Sequence, residues 1–218
     1  MSLKTSIDIL VQNIERSLIL MLGESGTAKE EIAFRFLEDG LAKKETVLVV
    51  LFSHSSFDYL EELKKREIAV DKYLKDGTLN FIDAISFRSI PKEKPPNTII
   101  LENASDLLAL SINLNDISLK TTKLRIIFDQ LSLIALYNSA MQVVNFLQSL
   151  AARVRQRNQS ALMLLDTGVI DDQTEKTLHT IVDMVVETKR TEEPSGVQQL
   201  VRIKFAKHKY EPRWVQVV

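Results

Sequence analysis

The chain predicts an α/β fold built on a mainly parallel central sheet, with antiparallel strands added near the C-terminus. Three observations carry that expectation. Short apolar runs alternate with helical patterns over most of the 218 residues, the signature of strand–helix–strand units. One run, Leu18–Leu22, leads straight into a loop bearing glycines and a lysine, and a helical pattern leads out. From Val182 onward the pattern changes to strands joined by turns, the usual finish at one edge of such a sheet.

The elements follow in order. Ile7, Leu10, Val11 and Ile14 fall at helical spacing, with Thr5 and Asp8 placed as a capping box. Leu18–Leu22 is the first central strand, and a helix with Ala33, Phe34, Phe36, Leu37 and Leu41 on its apolar side runs from Lys29 to Lys43. Thr46–Phe52 is almost continuously apolar, as a strand buried on both faces must be. Phe57–Lys65 is an amphipathic helix, and Asp76-Gly77 turns the chain into a strand over Leu79–Ile82. Ile90–Pro96 holds three of the five prolines and reads as a loop. Ile99–Leu101 is a minor strand, and Ser105–Ser118 is helical by the spacing of Leu107, Leu108, Ile112 and Leu114. Leu124–Asp129 is a strand ending in a carboxylate, the longest helix spans Ser132–Arg155, and Ala161–Asp166 is the next strand. Val182–Thr188, Leu200–Lys207 and Trp214–Val218 complete the strands. With no repeat, low-complexity run or linker, residues 1–218 read as one domain.

Composition narrows the chemistry. A net charge of −1 supplies no global field toward nucleic acid or anionic membrane. The absence of cysteine excludes disulfides, thiolate metal sites and thiol redox chemistry. His54, His179 and His208 stand far apart without ligand spacing, so no metal site built from side chains is expected. Leu18–Leu22 is too short to span a bilayer and no signal peptide is visible, so the expected location is the cytoplasm, away from membranes.

The loop is the most informative segment. Gly23-Glu24-Ser25-Gly26-Thr27-Ala28-Lys29-Glu30 sits between strand and helix, where G-x-x-x-x-G-K-[ST] cradles phosphates on successive backbone N–H groups. Gly23, Gly26, Thr27 and Lys29 keep the pattern. Ala28 replaces the second required glycine, adding a methyl where backbone and phosphate approach and limiting positive φ. Glu30 replaces the hydroxyl that holds Mg²⁺. Its carboxylate would lie beside the β-phosphate, and two like charges about 4 Å apart repel by about 4 kcal/mol at an effective dielectric of about 20. Asp129, ending a strand roughly a hundred residues later, stands where a Mg²⁺-holding aspartate belongs.

With both segments in view, the chain resembles the KaiC-like branch of the RecA superfamily of P-loop ATPases over nearly its whole length. Ser17–Leu22 resembles the family's lead-in, and Glu38–Lys44 the end of its first helix. Ile127–Ser132 resembles its Walker B strand and following turn, Ile181–Val186 a late strand, and Lys207-His208-Lys209 its late K-x-[RK] element. The resemblance implies a three-layer α/β/α sandwich in which the loop strand and the Asp129 strand flank one other strand. It implies ATP and Mg²⁺ as ligands and a tendency to form rings or filaments. It also implies that Lys207 and Lys209 reach a neighbouring subunit's phosphate. Active members carry adjacent glutamates after the second strand, one orienting the attacking water. Here Ser53-His54-Ser55-Ser56 stands there, and neither Ser53 nor a neutral His54 replaces that carboxylate.

Glu30, Ala28 and the Ser53-His54 segment bear on the same chemistry, so the expectation is a family member without ATP turnover. It would act as a binding or regulatory subunit for copies of itself, for a related ATPase, or for a peptide added along a sheet edge. Two alternatives stand beside it: an atypical ATPase completed by a partner subunit, and a DNA recombination or repair accessory. Individual residues carry paired readings. Lys29 either binds phosphate or pairs with Asp129 or Glu30 in a closed pocket. Glu30 and Glu31 form an acidic site or simply satisfy the positive end of the helix. Asp129 is a relic metal ligand or a capped strand end. Asp166 and Asp171-Asp172 form a carboxylate cluster or are polar strand ends and loop acids. His54, at the carboxyl end of a central strand, is functional or incidental. Lys204, Lys207, Lys209 and Arg213 are a nucleic-acid stripe or a solvated edge.

Overall fold

A computed structural model describes residues 14–88, 93–194, 196–208 and 210–217. The expected N-terminal helix lies, apart from Ile14, outside the described residues, as do Ile90 and Pro91 of the proline loop. Nine strands form one sheet: β1 Leu18–Gly23, β2 Thr46–Leu51, β3 Leu79–Asp83, β4 Thr98–Ile100, β5 Leu124–Phe128, β6 Ser160–Asp166, β7 Met184–Glu193, β8 Gly196–Ala206 and β9 Val215–Val217. Their order is β4-β3-β2-β5-β6-β1-β7-β8-β9. Neighbours pair in parallel from β4 through β7, and β7–β8 and β8–β9 are antiparallel. The loop strand β1 and the Asp129 strand β5 flank β6, as the resemblance implied.

Seven described helices cover the sheet: α1 Lys29–Ala42, α2 Ser56–Lys65, α3 Val70–Lys75, α4 Leu107–Lys120, α5 Leu131–Tyr137, α6 Ala140–Gln156 and α7 Asp172–Ile181. Side chains alternate across the pleat, so each strand feeds two cores. In β1, Ile19 and Met21 pack with α1 and α2 on one face. Leu18, Leu20 and Leu22 pack with α4, α5, α6 and α7 on the other. This is why the central strands read as unbroken apolar runs.

The helix expected over Ser132–Arg155 is two helices. Asn138 and Ser139 are extended (φ −132°, ψ 152° and φ −65°, ψ 153°). Asn138 Nδ2 donates to Ile134 O at 3.0 Å, closing α5. Ser139 opens α6 with a capping box, its amide donating to Gln142 Oε1 at 2.9 Å. Local capping by Asn138, Ser139 and Gln142 outcompetes helical continuation there. Helix α3 was not foreseen from the sequence. Trp214 lies just before β9 rather than in it, with Lys189 Nζ 4.4 Å and the Arg202 guanidinium 4.5 Å from the centre of its ring. Among the described residues no helix is long and apolar enough to cross a membrane.

At the amino-terminal end of the parallel strands, Asp183 ties the sheet together. It accepts the Leu18 amide at 3.0 Å, Lys207 Nζ at 2.7 Å and Arg155 Nη2 at 2.9 Å. Burial opposes its charge, but the Leu18 amide, Lys207 and Arg155 outweigh that and hold the carboxyl below the usual range. A group depressed in the folded state stabilises above its unfolded value of about 4 and loses that contribution as pH falls through the folded value. Asp183→Asn is therefore expected to cost about 2 kcal/mol at pH 7. In urea titrations the gap to wild type should close below about pH 4; a gap that does not depend on pH would contradict this account.

Candidate nucleotide loop and its neighbouring cleft

Strand β1 pairs with β6 so that Gly23 lies opposite Asp166. That register places a carboxylate beside the loop. Lys29, the first residue of α1, turns its side chain back under the loop and is 1% exposed. Its ammonium donates to Gly23 O at 2.7 Å and forms an ion pair with Asp166 Oδ1. The other carboxylate oxygen accepts Gln130 Nε2 at 2.5 Å and Ser132 Oγ at 3.3 Å, and the Asp166 amide donates to Ser132 Oγ at 2.8 Å.

The closed pairing foreseen for Lys29 thus exists with a different acid. Asp129 is one strand further away and its carboxylate is taken. Oδ1 accepts the Phe52 amide at 2.7 Å, while Oδ2 accepts the Ser53 amide at 3.0 Å and Ser53 Oγ at 2.7 Å. Glu30, the next residue along α1, is exposed. Its neighbour Glu31 pairs with Arg35 and Arg66. Burial opposes the Glu31 charge, but Arg66 and Arg35 outweigh it and hold its carboxyl below the usual range.

Ala28 also differs from expectation. It caps α1 at φ −70°, ψ 16°, so its alanine carries no left-handed strain. It is buried, in the core beneath α1.

The loop is pinned from its other side by the β7–β8 hairpin. Thr27 Oγ1 lies 2.7 Å from Thr188 Oγ1 and donates to Glu24 O at 2.8 Å. Gln199 Nε2 donates to Gly26 O at 3.1 Å. A Cβ on Gly23 would fall 2.0 Å from Thr188 Oγ1, so only glycine permits this approach. Gly26, at φ +79°, supplies the left-handed turn.

The resemblance raised the question of Mg-ATP, and these residues do not fit it. Lys29 is buried on a carboxylate, Glu30 offers no hydroxyl, and the Asp129 oxygens are occupied by the chain's own donors. No group of three or more His, Asp or Glu suited to a metal occurs among the described residues.

His54 sits over Asp129, with Nδ1 3.7 Å from Asp129 Oδ2 and 2.7 Å from Ser53 Oγ. The Asp129 carboxylate beside the ring pulls its pKa up, burial opposes, and the charges of Asp58 and Glu30 add to the rise. Beside it, between α1 and α2, opens a cleft of about 540 Å³. Phe34 and Tyr59 stack in its wall, with ring centroids 5.4 Å apart. Burial pushes the Tyr59 phenol well up.

Other sequence candidates lie apart. Asp171 caps α7 by accepting the Thr174 amide at 2.9 Å, and Asp172 follows it in the helix. Lys207 is paired with Asp183 at the far end of β1, about 17 Å from the loop by strand rise. Lys204 pairs with Glu187 at 2.7 Å, and Arg213 with Glu211 at 3.2 Å, so this stretch is not a free basic stripe. Lys209 lies outside the described residues. Gln130 and Ser132 belong to the turn after β5 that the sequence marked only as a segment, and Thr188 and Gln199, inside β7 and β8, carried no signal, since only the pairing of the strands brings them to the loop.

The family model described as "ATPase: KaiC" matches residues 7–209. The chain belongs to the KaiC ATPase family. The crystal structure of a KaiC-like protein from the hyperthermophilic archaeon Pyrococcus horikoshii OT3 superposes with a TM-score of 0.70 at 16% identity. The match covers 97% of this chain and 90% of that one, and identifies the same fold. No curated protein matches. Within this KaiC-family fold, Glu30 and His54 line one cleft.

Because Asp129 raises the His54 pKa, Asp129→Asn should lower it. Proton NMR titration of the His54 ring reads this directly; an unchanged midpoint would mean the pair is not formed in solution.

Proposed function

We propose that this KaiC-family chain does not turn over ATP and works as a binding or regulatory subunit whose nucleotide loop closes on itself. The observation that carries the proposal is the ion pair of Lys29 with Asp166, completed by Gly23 O. A buried ammonium needs a counter-charge. In a nucleotide-loaded loop the phosphates supply it, and in this chain Asp166 supplies it from the neighbouring strand. An entering triphosphate would have to displace that carboxylate and sit near Glu30. Each like-charge contact of about 4 Å costs about 4 kcal/mol, which is about a thousandfold in affinity. The missing glutamate after β2 supports the same conclusion.

The role left to such a chain is recognition of a protein, whether a second copy, a related ATPase or an edge-binding peptide. Helix α4 supports this, exposing Leu108, Ile112 and Leu119, and Leu136 and Met141 are exposed on α5 and α6. Exposed apolar side chains grouped on one layer mark contact surfaces.

Thermal unfolding with millimolar Mg-ATP tests the closed loop. A ligand at a hundredfold its Kd adds about 2.7 kcal/mol and raises Tm clearly. Wild type is expected to show no shift and to release no phosphate. Asp166→Asn should lower Tm by leaving Lys29 without its counter-charge. The triple change Ala28→Gly, Glu30→Thr, Asp166→Asn should gain an ATP-dependent rise. A wild-type shift accompanied by phosphate release would overturn the proposal.

A further inference from the structure

Two crevices open at the carboxyl ends of the parallel strands, because there the connections of adjacent strands leave to opposite faces. At β6 and β1, one connection runs to α7 and the other to α1, and the nucleotide loop lies between. At β2 and β5, one runs to α2 and the other to α5. Crevices of this kind are where open α/β sheets bind ligands. The second holds the cleft of about 540 Å³, within the range of small-molecule sites.

Its lining has a definite character. Ala33, Phe34, Tyr59, Ile127 and Leu164 give it an apolar floor. Glu30 from α1, Asp58 from α2 and Asp129 from β5 surround His54, and all three charges act on that ring. The two cations of the lining are matched by acids of their own. Arg66 pairs with Glu31 at 2.7 Å and Glu62 at 3.3 Å, and Lys65 lies 3.9 Å from Glu62. Arg66 also places its guanidinium 3.9 Å from the centre of the Phe34 ring, so the chain already seats one cation on this aromatic wall. Nothing in the lining offers an anion an unmatched positive charge.

We propose that this cleft binds a small organic cation, an amine or guanidinium carried on a flat apolar body. The head would sit between Glu30 and Asp58, within the field of Asp129, whose oxygens are already taken by the chain's own donors, and the body over the apolar floor at the edge of the Phe34–Tyr59 stack. Glu30 and His54, two departures from an ATPase site on separate elements, become members of one binding surface. This inference does not require the loop to be closed, so the two can fail separately.

Three compounds of one shape test it. Phenethylamine, 2-phenylethanol and phenylacetate are titrated into the full chain by calorimetry, with the His54 ring protons followed by NMR. Phenethylamine is expected to bind and shift the His54 resonances. 2-Phenylethanol should bind at least about tenfold more weakly and phenylacetate not measurably, since the head-group charge faces three carboxylates. Because Glu30 is exposed, Glu30→Lys should leave the protein folded, with Tm lowered only by the loss of a first-turn acid, and weaken the amine by about tenfold or more, with Glu30→Gln giving a smaller loss. Failure of phenethylamine to bind, equal affinity for all three compounds, or indifference to Glu30→Lys would each overturn the proposal.

Discussion

The top of this sheet is organised around the need of one buried ammonium for negative partners. Lys29 is almost wholly enclosed, and a charge so placed is tolerated only when paired and hydrogen-bonded. The strand register answers that need by setting Asp166 opposite Gly23. Gln130 and Ser132 then satisfy the second carboxylate oxygen, which fixes the turn after β5 against the end of β6. The loop, two strand ends and the first residues beyond them are thereby held as one unit.

The same principle recurs where strands end elsewhere. Asp129 takes two backbone amides and a serine hydroxyl from the turn after β2. Asp83 takes the Ser56, Ser86 and Ile85 amides, closing the turns beyond β2 and β3. Asp183 does so at the opposite end of the sheet with an amide and two cations. Carboxylates at strand termini here are matched by donors from the chain itself. The fold is held by two apolar cores, which owe little to those polar groups. Ala28 illustrates the division, since its methyl belongs to the core beneath α1.

Most of the sheet was legible in the sequence. Buried parallel strands read as apolar runs, and Leu18–Leu22, Thr46–Phe52, Leu124–Asp129 and Ala161–Asp166 carry that mark within a residue or two of their observed ends. The break between α5 and α6 was written in Asn138, Ser139 and Gln142, but a helical period running through both sides concealed it. The loop itself, its lysine and its two unusual residues were plain, since they depend only on spacing along the chain.

The partner of Lys29 was not, because that depends on which strand lies beside β1. Sequence order places Asp129 nearer to Lys29 than Asp166, whereas space reverses them: β6 inserts between β5 and β1. Nor does any local pattern bring Glu30, Asp58 and Asp129 around His54, for they sit on three elements joined only by the crossovers. What the sequence by itself determined was the kind and succession of elements and which residues stand in the loop, because periodicity and motif spacing are local. Which charges meet was decided by the tertiary structure alone, because ion pairing depends on strand order and register, and those are set by how the whole apolar core packs.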